Sequence, residues 1–224
     1  EIGTERSVPV LATLLKDEKL SDMARFALQR IPSPKVDQVF REALKDLSSD
    51  IRIGIINSIA WRGDRKAVPE LARLAGQDNR SLSGAAISAL GHIGGNGAAE
   101  ALTALSVPQA LNTLKTDALL QCADQLQAAD EIAAATAIYR KMVAKGNPAH
   151  VRIAALKGIV RTEKEKALPT VLSFLEEGDL ASQLVAAKLA REVPGKAATE
   201  ALTAQLPALS PNAQVVLLAA LSAR

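Results

Sequence analysis

Aromatic side chains are nearly missing from this chain of 224 residues, which carries one Trp, one Tyr and three Phe. A sheet protein builds its core from β-branched and aromatic residues. Their scarcity beside abundant Ala and Leu points to helices packed closely through small side chains. Cysteine occurs once, at Cys122, which excludes an intramolecular disulfide and a thiolate metal cluster. The two histidines, His92 and His150, are too few for most His-based metal sites. Apolar runs are short. The longest, Val215 to Leu221, falls well under the roughly 20 residues that span a bilayer and reads as buried helix. A basic block is missing as well. The net charge is +3, with Lys and Arg dispersed among Asp and Glu, whereas nucleic-acid binding draws on a concentrated basic stripe. The chain starts at Glu1 without methionine, which reads as a removed signal peptide or a piece of a longer protein.

What the chain does have is repetition. NPAHVRIAALKGIV, Asn147 to Val160, reads as the second helix of a two-helix unit, with Asn147 as cap and Pro148 at the first helical position. Looser copies recur throughout. Near the N-terminus Val8, Leu11, Leu14 and Leu15 share a helical face. Ser21 or Asp22 can cap the next helix, and Pro32 and Pro34 end it. The second unit runs from Lys35, turns at Ser48 to Asp50 and returns through IRIGIINSIAWRGD. The third ends at Gly94, Gly95, Asn96 and Gly97, which is helix-stop chemistry. In the fourth, from Ala98, Pro108 interrupts a short first helix, and the second helix is long. Registered on the last large apolar residue of each second helix, the anchors are Ile31, Ile59, Leu90, Leu126, Ile159, Leu189 and Leu221. They fall about 28 to 36 residues apart, the period of stacked helical hairpins.

With VRIAALKGI from Val151, IRIGIINSI from Ile51 and LSGAAISALGHIGG from Leu82, the pattern resembles the HEAT-repeat family of armadillo-like α-solenoids. Asp17, Asp46 and Asp78 match the family's aspartates before the second helix. Arg52 and Arg152 match its buried arginine, which the resemblance implies bonds toward neighbouring turns. The expected fold is all-α, a right-handed α-solenoid (α-α superhelix) of about seven HEAT-like helical hairpins. It forms one domain over residues 1–224, a fragment of a longer protein, since VVLLAALSAR lacks a polar closing face. DEKLSDMARFALQRIPSP in the first repeat also resembles HEAT arrays of large exported bacterial proteins, some joined to carbohydrate-active domains. With Glu1, that favours export.

No enzyme chemistry emerges. Deoxyhypusine hydroxylase, an enzyme of the HEAT class, holds iron through His-Glu pairs, and here neither histidine precedes a glutamate. Cys122 lies on an Ala-rich helical face with no basic neighbour in sequence to lower its pKa. GHIGGNG lacks the strand and the Lys-Ser or Lys-Thr of a phosphate loop. A HEAT-type lyase or DNA glycosylase would require a basic groove with base-stacking aromatics, for which only Trp61 and Tyr139 are available.

Projection at 100° per residue divides each second helix into a core side and a narrow outward wedge. In the resemblance the wedge lines the concave groove. It carries His150, Lys157 and Arg161 in repeat five, Asp50, Asn57 and Trp61 in repeat two, and Ser81, Ser88 and His92 in repeat three. Repeat four gives Asp117, Asp124 and Ala128, and repeat six gives Leu180, Ala187 and Arg191. The candidate groove residues are Asn57, Trp61, Ser88, His92, Lys157 and Arg161. A tryptophan amid hydrogen-bonding groups is a common anchor for proteins or sugars, although tryptophan is more often largely buried, and Trp61 packing on the next turn is the expectation that follows. The reading is a non-enzymatic scaffold that binds a protein or an adjacent domain of its own polypeptide, with no cofactor, no metal and no membrane span. A carbohydrate ligand, or service as an accessory module of a carbohydrate-processing enzyme, is the alternative; nucleic acid is disfavoured.

Overall fold

Helix-forming residues with an apolar face every three to four positions turn nearly the whole chain into short helices. The computed structural model describes residues 3–47, 49–177 and 179–224, with the backbone alone for Asp46 and Ser49. Glu1 and Ser48 lie outside the described residues. Two compact units result, Glu1–Cys122 and Ala123–Arg224. Unit 1 holds α1 (Val8–Leu14), α2 (Ser21–Gln29), α3 (Pro34–Asp46), α4 (Ser49–Arg62), α5 (Val68–Ala75), α6 (Arg80–Ile93) and α7 (Gly95–Ala104). The next helix, α8 (Asn112–Ala128), runs from unit 1 into unit 2. Unit 2 continues with α9 (Ile132–Met142), α10 (Ala149–Glu163), α11 (Leu168–Glu176), α12 (Leu180–Leu189), α13 (Lys196–Gln205) and α14 (Pro211–Ser222). No strand occurs among the described residues, and no helix is long and apolar enough to cross a membrane. The all-α class, with successive helix pairs within each unit, is the expected one.

Within unit 1 the second helices stack in the order α2, α4, α6, and first helices pack α1 on α3 and α5 on α7. Between these layers lie Leu28, Phe40, Ile55, Ile56, Ile59, Leu71, Leu74, Ile87 and Leu90, all without exposed surface. Unit 2 repeats the scheme. There α10, α12 and α14 stack, α11 packs on α13, and Leu156, Ile159, Leu175 and Leu217 are fully enclosed.

Several turns differ from the sequence expectation. Neither Ser21 nor Asp22 caps α2; Asp17 Oδ1 instead accepts from the Lys19 and Leu20 amides at 2.8 and 3.3 Å. Pro34 opens α3 rather than ending α2, because Ser33 caps the Lys35 amide and a proline needs no partner in the first turn. Asn147 closes α9 rather than opening α10. Its amide donates to the Lys141 and Met142 carbonyls at 3.0 Å each, and Pro148 takes the capping position. Gly94 and Gly95 break the chain after α6, both in the left-handed region with φ of 65° and 75°. The φ of 65° and ψ of −161° at Gly94 suit glycine alone, and Asn96 and Gly97 lie within α7.

Arginines tie several repeats to their neighbours. Arg62, at the end of α4, donates to the carbonyls of Gln29, Ile31 and Ser33 at 2.9 to 3.0 Å and pairs with Asp37. Arg224 repeats the device in unit 2, on the Ala190 and Gly195 carbonyls. Arg52 and Arg152 bond as the resemblance implied. Arg52 Nε reaches Leu47 O at 2.7 Å, and Arg152 meets Val143 O, the Glu177 carboxylate and the Phe174 ring. Close approach elsewhere depends on glycine. A Cβ on Gly158 would stand 2.4 Å from the ring of Tyr139, and one on Gly91 would stand 2.8 Å from the Cα of Ala118.

Two substitutions test these supports. Arg62→Ala strands Asp37 and three carbonyls and is expected to destabilise the protein by about 3 kcal/mol in urea titrations. Gly158→Ala is expected to cost about 2 kcal/mol, because the Tyr139 ring it meets is enclosed and its hydroxyl is anchored.

Candidate functional site

Stacking buries most of α4, α6 and α10 and leaves one narrow strip outward. The apolar run Val215 to Leu221 of α14, expected to be buried, instead leaves Val215 68% and Leu218 53% exposed. In α4, Ile55 and Ile56 are buried, Asn57 is exposed, Ser58, Ile59 and Ala60 are buried, and Trp61 is 60% exposed. The next helix copies this order. In α6, Ser88 and His92 are exposed amid buried Ala86, Ile87, Ala89, Leu90 and Gly91. Because α4 and α6 pack side by side, these four residues lie on adjacent helices of one unit. Lys157 and Arg161 hold the same two positions on α10, in the other unit, and both are exposed. The indole of Trp61 therefore does not pack away beneath the following turn.

One contributor escaped sequence registration. Phe26 on α2 is 52% exposed between buried Ala24 and Leu28 and precedes Asn57 by one repeat. Arg30 precedes Trp61 in the same way and is also exposed. Anchoring repeat one on Ile31 hid this, since Leu28 holds the anchor slot. The Arg25 guanidinium lies 4.2 Å from the centre of the Phe26 ring and donates to Ser58 Oγ at 3.1 Å, while that hydroxyl donates to Gln29 Oε1 at 2.7 Å. A buried polar seam between α2 and α4 thus underlies the exposed strip.

Repeat six also shifts by one residue. The sequence register placed Leu180, Ala187 and Arg191 outward; Leu180 and Arg191 are exposed, but Ala187 is fully buried and Lys188 is exposed in its place. Buried Ala190 occupies the anchor slot there. The last large side chain, Leu189, therefore misplaces the frame.

Cys122 and Tyr139 are both sealed. Cys122 is buried, with its sulfur 3.8 Å from Leu90 O, and burial pushes the thiol from 9.0 up to about 11. Tyr139 is buried too and donates its hydroxyl to Asp124 Oδ1 at 2.5 Å, with Gln127 Oε1 at 3.2 Å. Burial, and next that hydrogen bond, raises the phenol's pKa, with Arg161 opposing. Tyr139 is therefore unavailable to stack on a base. Among the described residues no group of three His, Cys, Asp or Glu side chains could hold a metal ion.

An all-α array of paired helices with an exposed strip along its second helices is a repeat-type binding module. Residues 36–119 match the family model of HEAT repeats, so the stretch from α3 into α8 consists of HEAT repeats. No protein of curated function matches the sequence. Among solved structures, similarity extends to the complex of CpcE and CpcF of phycocyanin lyase from Nostoc sp. PCC7120, at 19% identity and a TM-score of 0.49, covering 100% of this chain and 97% of that one. Human deoxyhypusine hydroxylase in complex with glycerol is similar at 19% identity and a TM-score of 0.48, covering 98% and 85%.

The thiol's environment gives a pH prediction. Between about 9 and about 11 the folded chain keeps the Cys122 proton and the unfolded chain releases it, so this contribution to stability falls as pH rises through that window. The stability advantage of the wild type over Cys122→Ala, read from urea midpoints, is expected to narrow from pH 9 upward.

Proposed function

We propose that the chain is a non-enzymatic binding scaffold whose second-helix strip in unit 1 engages a protein partner or another domain of the same polypeptide. The exposure of Trp61 carries this reading. It is the chain's only tryptophan, and it stands 60% exposed at a position where neighbouring helices place Arg30 and His92. Tryptophan and arginine dominate the energetics of protein interfaces, where a rigid apolar ring desolvates at little entropic cost. Phe26 adds a second ring on the adjacent helix. The non-enzymatic reading is supported by the enclosure of Cys122 and Tyr139, whose thiol and phenol burial holds protonated.

A second reading, carbohydrate binding in an accessory module, draws on the same geometry. A flat indole beside Asn57, Ser88 and His92 offers a stacking platform flanked by hydrogen-bonding groups.

A photo-crosslinking residue at Asn57, with Trp61 retained, discriminates between them. Covalent capture of one discrete polypeptide, lost on Trp61→Ala, is the outcome expected of a protein scaffold. Trp61→Ala is expected to weaken that partner's binding by about 2 kcal/mol, roughly thirtyfold, with unchanged far-UV circular dichroism. Saturable shifts of Trp61 fluorescence with oligosaccharides, and no protein crosslink, would favour the carbohydrate reading. Base excision by the purified chain, lost with a surface variant, would overturn the non-enzymatic one.

A further inference from the structure

The helices α10 and α12 lie side by side in unit 2, and their outward positions carry cations that the fold does not neutralise. We propose that this face is a docking surface for an acidic polypeptide segment, a short run of Asp and Glu on a partner protein. It is separate from the Trp61 strip, which belongs to unit 1.

Lys157 and Arg161 stand one turn apart on α10, and Lys188 occupies on α12 the slot that Lys157 holds on α10; all three are exposed. Exposed Arg191 is the next cation after Lys188, although exposed Glu192 holds the slot equivalent to Arg161, and exposed His150 begins the strip on α10. The ion-paired carboxylates of unit 2 are taken elsewhere. Glu163 and Glu177 pair with Arg140 and Arg152, and Glu200 pairs with Lys196. Lys157, Arg161, Lys188 and Arg191 form no ion pair among the described residues. Two carboxylates share the face, Glu192 and Asp124, and Asp124 already accepts the Tyr139 hydroxyl. A favourable position at a helix C-terminus accounts for Arg161 and Lys188, which sit in last turns. It does not account for Lys157, in mid-helix, because that effect fades within the final turn.

The spacing suits an extended acidic segment. Successive turns of one helix stand about 6 Å apart and packed helices about 8–10 Å apart. Alternate side chains of an extended chain are about 7 Å apart. About five residues crossing α10 and α12 would therefore bring several carboxylates to these cations, and such complementarity governs encounter rate and partner choice. Nucleic acid fits less well. Single strands bind through stacked aromatics as well as phosphate contacts, and the two aromatics of unit 2, Tyr139 and Phe174, are both buried.

Fluorescence anisotropy of the full chain with labelled octaglutamate, and with labelled oligothymidylate of equal length, tests the proposal. Octaglutamate is expected to bind at about 50 mM salt and to weaken strongly by about 200 mM. The double variant K157E/R161E, and separately K188E, are expected to lower its affinity by roughly tenfold or more with unchanged circular dichroism. Lys16→Glu, on the other unit, should have no effect. Failure of octaglutamate to bind, equal binding by K157E/R161E, or tighter binding of the oligonucleotide with loss on the same variants would each overturn the proposal. Trp61→Ala should leave octaglutamate binding unchanged, so this surface and the Trp61 strip can fail independently.

Discussion

Every element of this protein depends on burying one face of a helix too short to stand alone. The helices run from the seven residues of α1 to the seventeen of α8, at or near the lengths at which isolated helices are marginal in water. Their stability comes from enclosing Leu, Ile, Val and Ala side chains against the neighbouring repeat. Several consequences follow from that one requirement. The inward positions must be apolar and often small, and the repeats must sit close enough for Gly91 to meet the backbone of Ala118 and Gly158 to meet the ring of Tyr139. Polar groups at repeat junctions must also find partners, which is the work of Arg62, Arg152 and Arg224.

The same requirement leaves function to a few slots. Where stacking claims both flanks of a second helix, as in α4 between α2 and α6, only a narrow outward strip escapes it. Residues there are free of packing demands, and their chemistry can differ between units without disturbing the fold. In unit 1 they include Phe26, Asn57, Trp61, Ser88 and His92. In unit 2 they include Lys157, Arg161 and Lys188. Unit 1 thus exposes an aromatic-polar strip and unit 2 a basic one.

Particular residues show how far sequence reasoning reached. The outward wedge in repeats two, three and five was legible, because Ile59, Leu90 and Ile159 are large and mark the frame unmistakably. It failed in repeat six, where Ala190 holds the anchor slot, and it omitted Phe26 in repeat one, where Ile31 beyond the end of α2 replaced Leu28 as the apparent anchor. Periodicity identifies a frame only when the marker residue is large. Turn chemistry misled in a related way. Asn147 and Pro34 each sit between two helices, and sequence alone does not say which helix a capping group serves.

The sequence by itself determined the helical class, its organisation in helix pairs and the impossibility of an intramolecular disulfide or thiolate cluster, because these follow from composition and periodicity along the chain. It also determined which side chains were candidates for the outward strip. Tertiary structure decided which of them reach solvent. Trp61 could as well have packed on a neighbouring turn, and Tyr139, its closest chemical relative in the chain, does pack inward, over Gly158. The difference lies in what the adjacent helix offers. A glycine opposite Tyr139 leaves room for a ring and Asp124 accepts its hydroxyl, whereas Trp61 occupies a position that no neighbouring helix covers.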